Sequence, residues 1–271
     1  MTKSKCALTI TFALLCYMSF LVPVVAQSNQ PASNGSERIQ IRFREKEPDG
    51  SSRGRPTKRG GTGSRGKCPP VELLTTALIP AKNVALAVEE HPTFWFFVPY
   101  KATDVSTGEF VLQDEANKDV YRTDFTLPKT PGIVGLSLPS TAPLAIDKTY
   151  QWYFKLYCKD AIDSASGNLS NPVFVRGWVQ RVALKPDLEY LLKSATTPRQ
   201  RIAIYAENGI WYSALSELAK LRLSEPQNPT FNKDWAQLLQ DVGLENLSTQ
   251  PMIGKVKNKL EPGNRERGTR E

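Results

Sequence analysis

The stretch His91-Pro92-Thr93-Phe94-Trp95-Phe96-Phe97-Val98-Pro99-Tyr100 constrains the fold more than any other. Aromatic and β-branched residues between two prolines form a short strand. Pro92 and Pro99 limit it to about six residues, because proline ends regular pairing and restricts the residue before it. Alternation places Phe94, Phe96 and Val98 on one face and Thr93, Trp95 and Phe97 on the other. Both faces are largely apolar. Such a strand is either a core strand covered on both sides or a strand buried on one side that presents aromatic rings to a ligand. In the second case Trp95, Phe97 and Tyr100, with Arg176 and Trp178 further on, would form the surface for a sugar ring or an apolar partner.

Strand signals surround this stretch. Val71–Ile79, Val84–Val88, Gly108–Gln113, Val120–Leu127, Gly132–Leu138, Tyr150–Cys158 and Pro172–Leu184 are each short and bounded by turn residues. In Tyr150–Cys158 the residues Tyr150, Trp152, Phe154, Leu156 and Cys158 share one face, while Gln151, Tyr153, Lys155 and Tyr157 share the other. Seven or eight such strands predict a mainly β chain with α, built as an antiparallel immunoglobulin-like β-sandwich over residues 68–185.

After Pro186 the apolar period becomes helical. Asp187–Lys193 predicts a short helix. Thr197 caps a second helix, Pro198–Glu207, with proline at its first position. Trp211, Leu215, Leu218 and Leu221 define a third, ending before Pro226. A fourth runs from Thr230 to Val242 and stops at Gly243. Tyr205, Gly209, Trp211, Ala214, Leu218, Leu221 and Pro226 resemble the packing positions of one tetratricopeptide-type hairpin. A solenoid needs about three such repeats, so residues 186–245 read as a small helical cap on the sandwich: one tetratricopeptide-like hairpin plus a further helix.

Lys3 and Lys5 precede an apolar run that ends in Val24-Val25-Ala26, the pattern of a secretory signal peptide over residues 1–26. An uncleaved anchor helix is the competing reading. No later stretch is apolar enough to span a membrane. Export leaves Cys68 and Cys158, an even pair, which suggests a disulfide; two free buried thiols are the alternative. Of the formal net charge of +8, residues 1–26 carry +2, residues 37–67 carry +6 and residues 252–271 carry +3. Residues 68–251 are left at −3. The basicity sits outside the globular part, against a nucleic-acid-binding fold; it reads as a solubilising linker, or as a tether to anionic envelope polymers or lipid headgroups. Residues 27–67 and 246–271 are polar and basic and read as disordered linker and tail. Within the linker, Ile39, Ile41 and Phe43 alternate and fit a brief strand or a docking motif.

No cofactor or metal motif is present. The two cysteines and the only histidine, His91, cannot make a four-ligand zinc set. His91 lacks a nucleophile at hydrolase spacing and reads as a turn residue. Glu89, Glu90, Asp114 and Glu115 could supply the carboxylate pair of a glycosidase. Gly61-Thr62-Gly63-Ser64-Arg65-Gly66 fits the dinucleotide glycine pattern only superficially, since it neither follows a strand nor opens a helix. Asn34, Asn168 and Asn246 each stand in a glycosylation acceptor triplet.

Several segments together resemble a known family. These are Arg65-Gly66-Lys67-Cys68, Leu74-Thr75-Thr76-Ala77-Leu78-Ile79-Pro80, His91 to Tyr100, Phe110-Val111-Leu112-Gln113-Asp114-Glu115, Trp152-Tyr153-Phe154 and Gly177-Trp178-Val179-Gln180-Arg181. They are similar to the cyanobacterial "domain of unknown function 928" family, over about residues 65–245. The resemblance implies an exported cyanobacterial protein, with no activity, substrate or catalytic residue to carry over. The expectation is a non-enzymatic periplasmic or extracellular module binding an envelope protein or polymer, with a polysaccharide or peptidoglycan hydrolase as the alternative.

Overall fold

The computed structural model describes residues 39–45, 58–61, 68–82, 84–159 and 171–259. The stretch expected to be a signal peptide, Asn34, Asn168, most of the glycine pattern and the end of the basic tail lie outside these residues. Among the described residues ten strands form two sheets. They are β1 (Thr76–Ala77), β2 (Ala85–Ala87), β3 (Thr93–Val98), β4 (Val105–Gln113), β5 (Asp119–Thr126), β6 (Gly132–Ser137), β7 (Thr149–Cys158), β8 (Val173–Arg181), β9 (Met252–Lys255) and β10 (Lys257–Asn258). One sheet has the order β1-β3-β6-β9 and the other β10-β5-β4-β7-β8-β2. The α-helices among the described residues are α1 (Pro186–Ser194), α2 (Pro198–Glu207), α3 (Trp211–Ser224) and α4 (Pro229–Gln240).

The aromatic stretch is β3, and all six of its residues are buried. Phe94 and Phe96 face the larger sheet. Phe94 meets Phe110 at 5.1 Å and Trp152 at 5.7 Å, and Phe96 stacks on Phe154 at 3.9 Å. The opposite face lies under α3, where Trp95 Nε1 donates to Ser216 Oγ at 3.1 Å. That hydroxyl in turn donates to the Thr93 carbonyl at 3.3 Å. β3 therefore belongs to a middle layer, which is why neither face could be polar.

The core rings are seated by glycines. Trp95 is paired with Gly135, Phe125 with Gly108, and Trp152 with Gly177 on the neighbouring strand. At Gly108 and Gly177 a Cβ would overlap the partner ring, and at Gly135 it would stand 3.0 Å from Trp95, tighter than ordinary contact. Absent side chains make room for oversized ones within one layer.

An all-antiparallel fold was expected, and two pairings differ. β2 runs parallel to β8 and β9 parallel to β6. The linker and tail also differ from expectation where they are described. Lys58 bridges Arg176 of β8, and Gly60 bridges Thr76 of β1, so four residues join the two sheets along one margin. At the other margin β9 completes the smaller sheet and β10 pairs with β5 of the larger. Polar, basic segments can do this because backbone pairing needs no apolar side chain.

α3 is the central helix, buried from Trp211 to Ser216 and again at Leu218 and Ala219. Tyr212 reaches the interior, where its hydroxyl accepts from Trp152 Nε1 at 2.9 Å. Thr197 caps α2 through the Gln200 amide, with the reciprocal Gln200 side-chain bond. Gly243, at φ +69°, follows α4 in the left-handed region. Residues 39–45 form no strand; they dock on the helices.

Candidate functional site: the outer face of the six-stranded sheet

Trp95 and Phe97 are each 3% exposed and Tyr100 is 5% exposed. These three cannot form the aromatic platform, because the α3 layer covers one side of β3 and the larger sheet the other. Arg176 and Trp178 lie elsewhere, on β8, where they alternate with the buried Val175, Gly177 and Val179. Their side chains belong to the outer face of the six-stranded sheet, since α3 packs instead against β2, β3 and β9.

Register builds that face row by row. Arg122, Val111, Tyr153 and Arg176 are consecutive partners across β5, β4, β7 and β8. Asp124, Glu109, Lys155 and Phe174 form the next row, and Gln113, Gln151 and Trp178 a third. Neighbouring rows lie on the same face because the strand period is two.

The polar groups are tied together. The Glu109 carboxylate pairs with Arg122 and accepts from Lys155 Nζ at 3.2 Å and from Tyr157 OH at 3.0 Å. Arg122 also pairs with Asp119, whose other oxygen accepts from Gln113 Nε2 at 2.9 Å. Tyr153 OH donates to Gln151 Oε1 at 2.9 Å. Lys58 stands 4.0 Å from the centre of the Phe174 ring. Burial, and after it the Arg122 charge, holds the Lys155 ammonium below its ordinary value. Burial and then Arg176 do the same to Lys58, while burial raises the Tyr157 hydroxyl. The face is thus a stiff array of half-buried rings separated by charged and amide groups. Side chains already fixed by one another lose little freedom when a ligand docks.

The acids considered for hydrolysis are engaged elsewhere. Glu89 accepts from Ser213 Oγ at 2.7 Å, and Glu90 pairs with Arg181 at 3.1 Å. Asp114 accepts from the Ala116 and Lys118 amides of its own turn, and Glu115 is exposed. Glu89 and Glu90 follow β2 whereas Asp114 and Glu115 follow β4, three strand spacings away in sheet order, or about 14 Å. Paired glycosidase carboxylates stand about 5–9.5 Å apart. His91 Nε2 is 3.9 Å from Glu90 at the turn entering β3. Among the described residues no group of three or more His, Cys, Asp and Glu could hold a metal ion. No helix among them is long and apolar enough to cross a membrane.

Cys68 and Cys158 are joined, with Cα atoms 5.3 Å apart. The bridge ties the segment before β1 to the end of β7. Lys58, Tyr153, Phe174, Glu109 and Arg122 were not singled out from sequence. For Tyr153 and Phe174 the signal was present in β7 and β8, as rings and charges sharing the face opposite the apolar residues.

No curated protein matches the chain. The family model described as "Domain of Unknown Function (DUF928)" matches residues 60–252, which take in β1 to β8, α1 to α4 and the first residue of β9. The chain belongs to this family, the Domain of Unknown Function (DUF928) family.

Proposed function

We propose that this chain is an exported, non-enzymatic binding module that holds an extended envelope polysaccharide on the outer face of its six-stranded sheet. The observation that carries this reading is the row structure of that face, in which the rings of Tyr153, Phe174 and Trp178 are interleaved with Arg122, Arg176, Glu109, Gln113 and Gln151. Pyranose rings present flat C–H faces that suit aromatic rings, and hydroxyls that suit planar guanidinium, carboxylate and amide groups. The leader-like residues 1–26 support export to the periplasm or beyond. The engaged acids support retention of the polymer over its cleavage. The immunoglobulin-like reading of the two facing sheets and the tetratricopeptide-like reading of α2–α3 are part of the same proposal: a sandwich that presents a face, with a helical cap behind it.

Electrophoresis in gels cast with extracted envelope polysaccharide tests it. The chain is expected to be retarded, and the Tyr153→Ala/Trp178→Ala variant to migrate as in a polysaccharide-free gel while keeping its near-ultraviolet dichroism. Equal retardation of both, no retardation of the parent chain, or release of new reducing ends would count against the proposal.

A further inference from the structure

α2 and α4 flank α3, and residues 39–45 of the same chain lie along them. Arg199 Nη2 of α2 donates to the Ile39 carbonyl at 3.0 Å. The Arg44 amide donates to the Ala206 carbonyl near the end of α2 at 3.1 Å. Between these points the Asp241 carboxylate, at the end of α4, accepts from the Phe43 amide at 2.7 Å. It also pairs with the Arg42 guanidinium at 3.0 Å. Ile41 is 1% exposed, and Phe43 sits edge-on to Trp211 at 4.8 Å.

Three of these anchors hold backbone groups, so they recognise an extended chain of many sequences. Selectivity comes from alternate side chains, as it does wherever a peptide binds extended. Ile41 and Phe43 enter apolar surroundings and Arg42 meets the acid. Asp241 has only 5% of its side chain exposed, so an occupant without a cation there would leave a nearly buried carboxylate poorly compensated.

The groove and its occupant differ in one respect. Arg199, Ala206, Trp211 and Asp241 lie within the residues matched by the family, 60–252, and residues 39–45 lie outside them. The groove is part of the domain, whereas the segment filling it is an appended arm. We propose that the groove between α2 and α4 is a binding site for an extended peptide of the form apolar–Arg–aromatic on a partner protein, and that Ile41 to Arg44 occupy it as a tethered competitor. Joined to the domain through the chain, the arm acts at an effective concentration of about a millimolar. A partner peptide must therefore exceed the arm in affinity or arrive where the arm has been cleaved.

The test uses the full chain and a fluorescent peptide of residues 38–45, Arg-Ile-Gln-Ile-Arg-Phe-Arg-Glu, read by anisotropy. Ile41→Ser/Phe43→Ser, which weakens the arm, is expected to bind the peptide about tenfold or more tightly than the unsubstituted chain. Adding Asp241→Asn should remove most of that gain. A folded Ile41→Ser/Phe43→Ser chain that binds no peptide overturns the proposal. Equal binding by the substituted and unsubstituted chains overturns it too, because the peptide would then be held elsewhere. Should the double variant not fold, Phe43→Ala, whose ring is only half-buried, takes its place in the same comparison.

Discussion

Gly177→Ala tests the glycine-seated core directly. The added Cβ would collide with the Trp152 ring and with Ile79 Cδ1. Trp152 is fully buried, between Phe94 and Phe96 at 5.7 and 5.5 Å. Its Nε1 is committed to the Tyr212 hydroxyl, which donates onward to the Trp178 carbonyl at 3.3 Å. The ring can yield only by crowding its neighbours or giving up that bond. Overpacking of one methyl costs about 1–3 kcal/mol, and a buried donor left without a partner costs about 1–3 kcal/mol more. The lower entropy of the unfolded alanine chain returns about 0.4–1 kcal/mol. The expected net loss is about 3 kcal/mol, or about 1 M in the urea midpoint at a slope near 3 kcal/mol per molar. Urea titration under non-reducing conditions, followed by tryptophan fluorescence, measures it. Gly60→Ala is the control, since a Cβ there meets nothing within 4 Å; it should change stability by less than about 0.5 kcal/mol. A Gly177→Ala midpoint equal to that of the parent, at unchanged slope, would refute the account of how the rings are seated.

Non-reducing mass spectrometry should find Cys68 and Cys158 bridged. With a sequence separation of 90 between them, replacing both with serine should cost up to about 4–5 kcal/mol in denaturant titration. Burial, then the charges of Glu89 and Glu217, pushes the Tyr205 hydroxyl up to about 12, and burial raises Tyr212 further. The folded state therefore keeps protons that the unfolded state releases above pH 10, so stability is full below pH 10 and falls as pH rises towards 12. Phenolate absorbance should remain incomplete until the chain unfolds, and complete ionisation in a folded chain would contradict the burial of Tyr212. Arg199→Ala leaves Asp234, with 8% of its side chain exposed, without its 2.8 Å partner. A loss of about 3–5 kcal/mol is expected, together with faster exchange of the Arg44 amide; a neutral result would show that the pair does not anchor the arm.

The sequence made some parts of this fold readable and left others silent, for physical reasons. β7 and β8 were legible because every second residue is apolar and the alternation extends over nine or ten residues. The α2 boundaries were legible because Thr197, Pro198 and Asn208 stand where a helix begins and ends. Val71–Ile79 looked like one long strand, yet only Thr76 and Ala77 pair regularly. The carbonyls beyond them serve side chains instead: Leu78 accepts from Trp211 Nε1 at 2.8 Å, and Ile79 from Arg59 at 3.5 Å. Residues 58–61 gave no signal, since their role is carried by backbone groups whose partners are remote in the chain. For the site, aromatic density drew attention to β3, but dense rings mark burial. Rings alternating with charges, as in Tyr153, Lys155, Phe174 and Arg176, mark the candidate face.

The two short margin segments set an order on assembly. Residues 58–61 leave the ribosome first but need β1 and β8, which follow by some 20 to 120 residues. β9 and β10 are required by strands made about a hundred residues or more earlier. Until residue 258 is available, the edges of β5 and β6 are bare, open to any other strand. A nascent or threaded chain therefore remains unfinished along one side until β9 and β10 have been delivered, and a truncation before Met252 should aggregate through the edges that β9 and β10 would have covered.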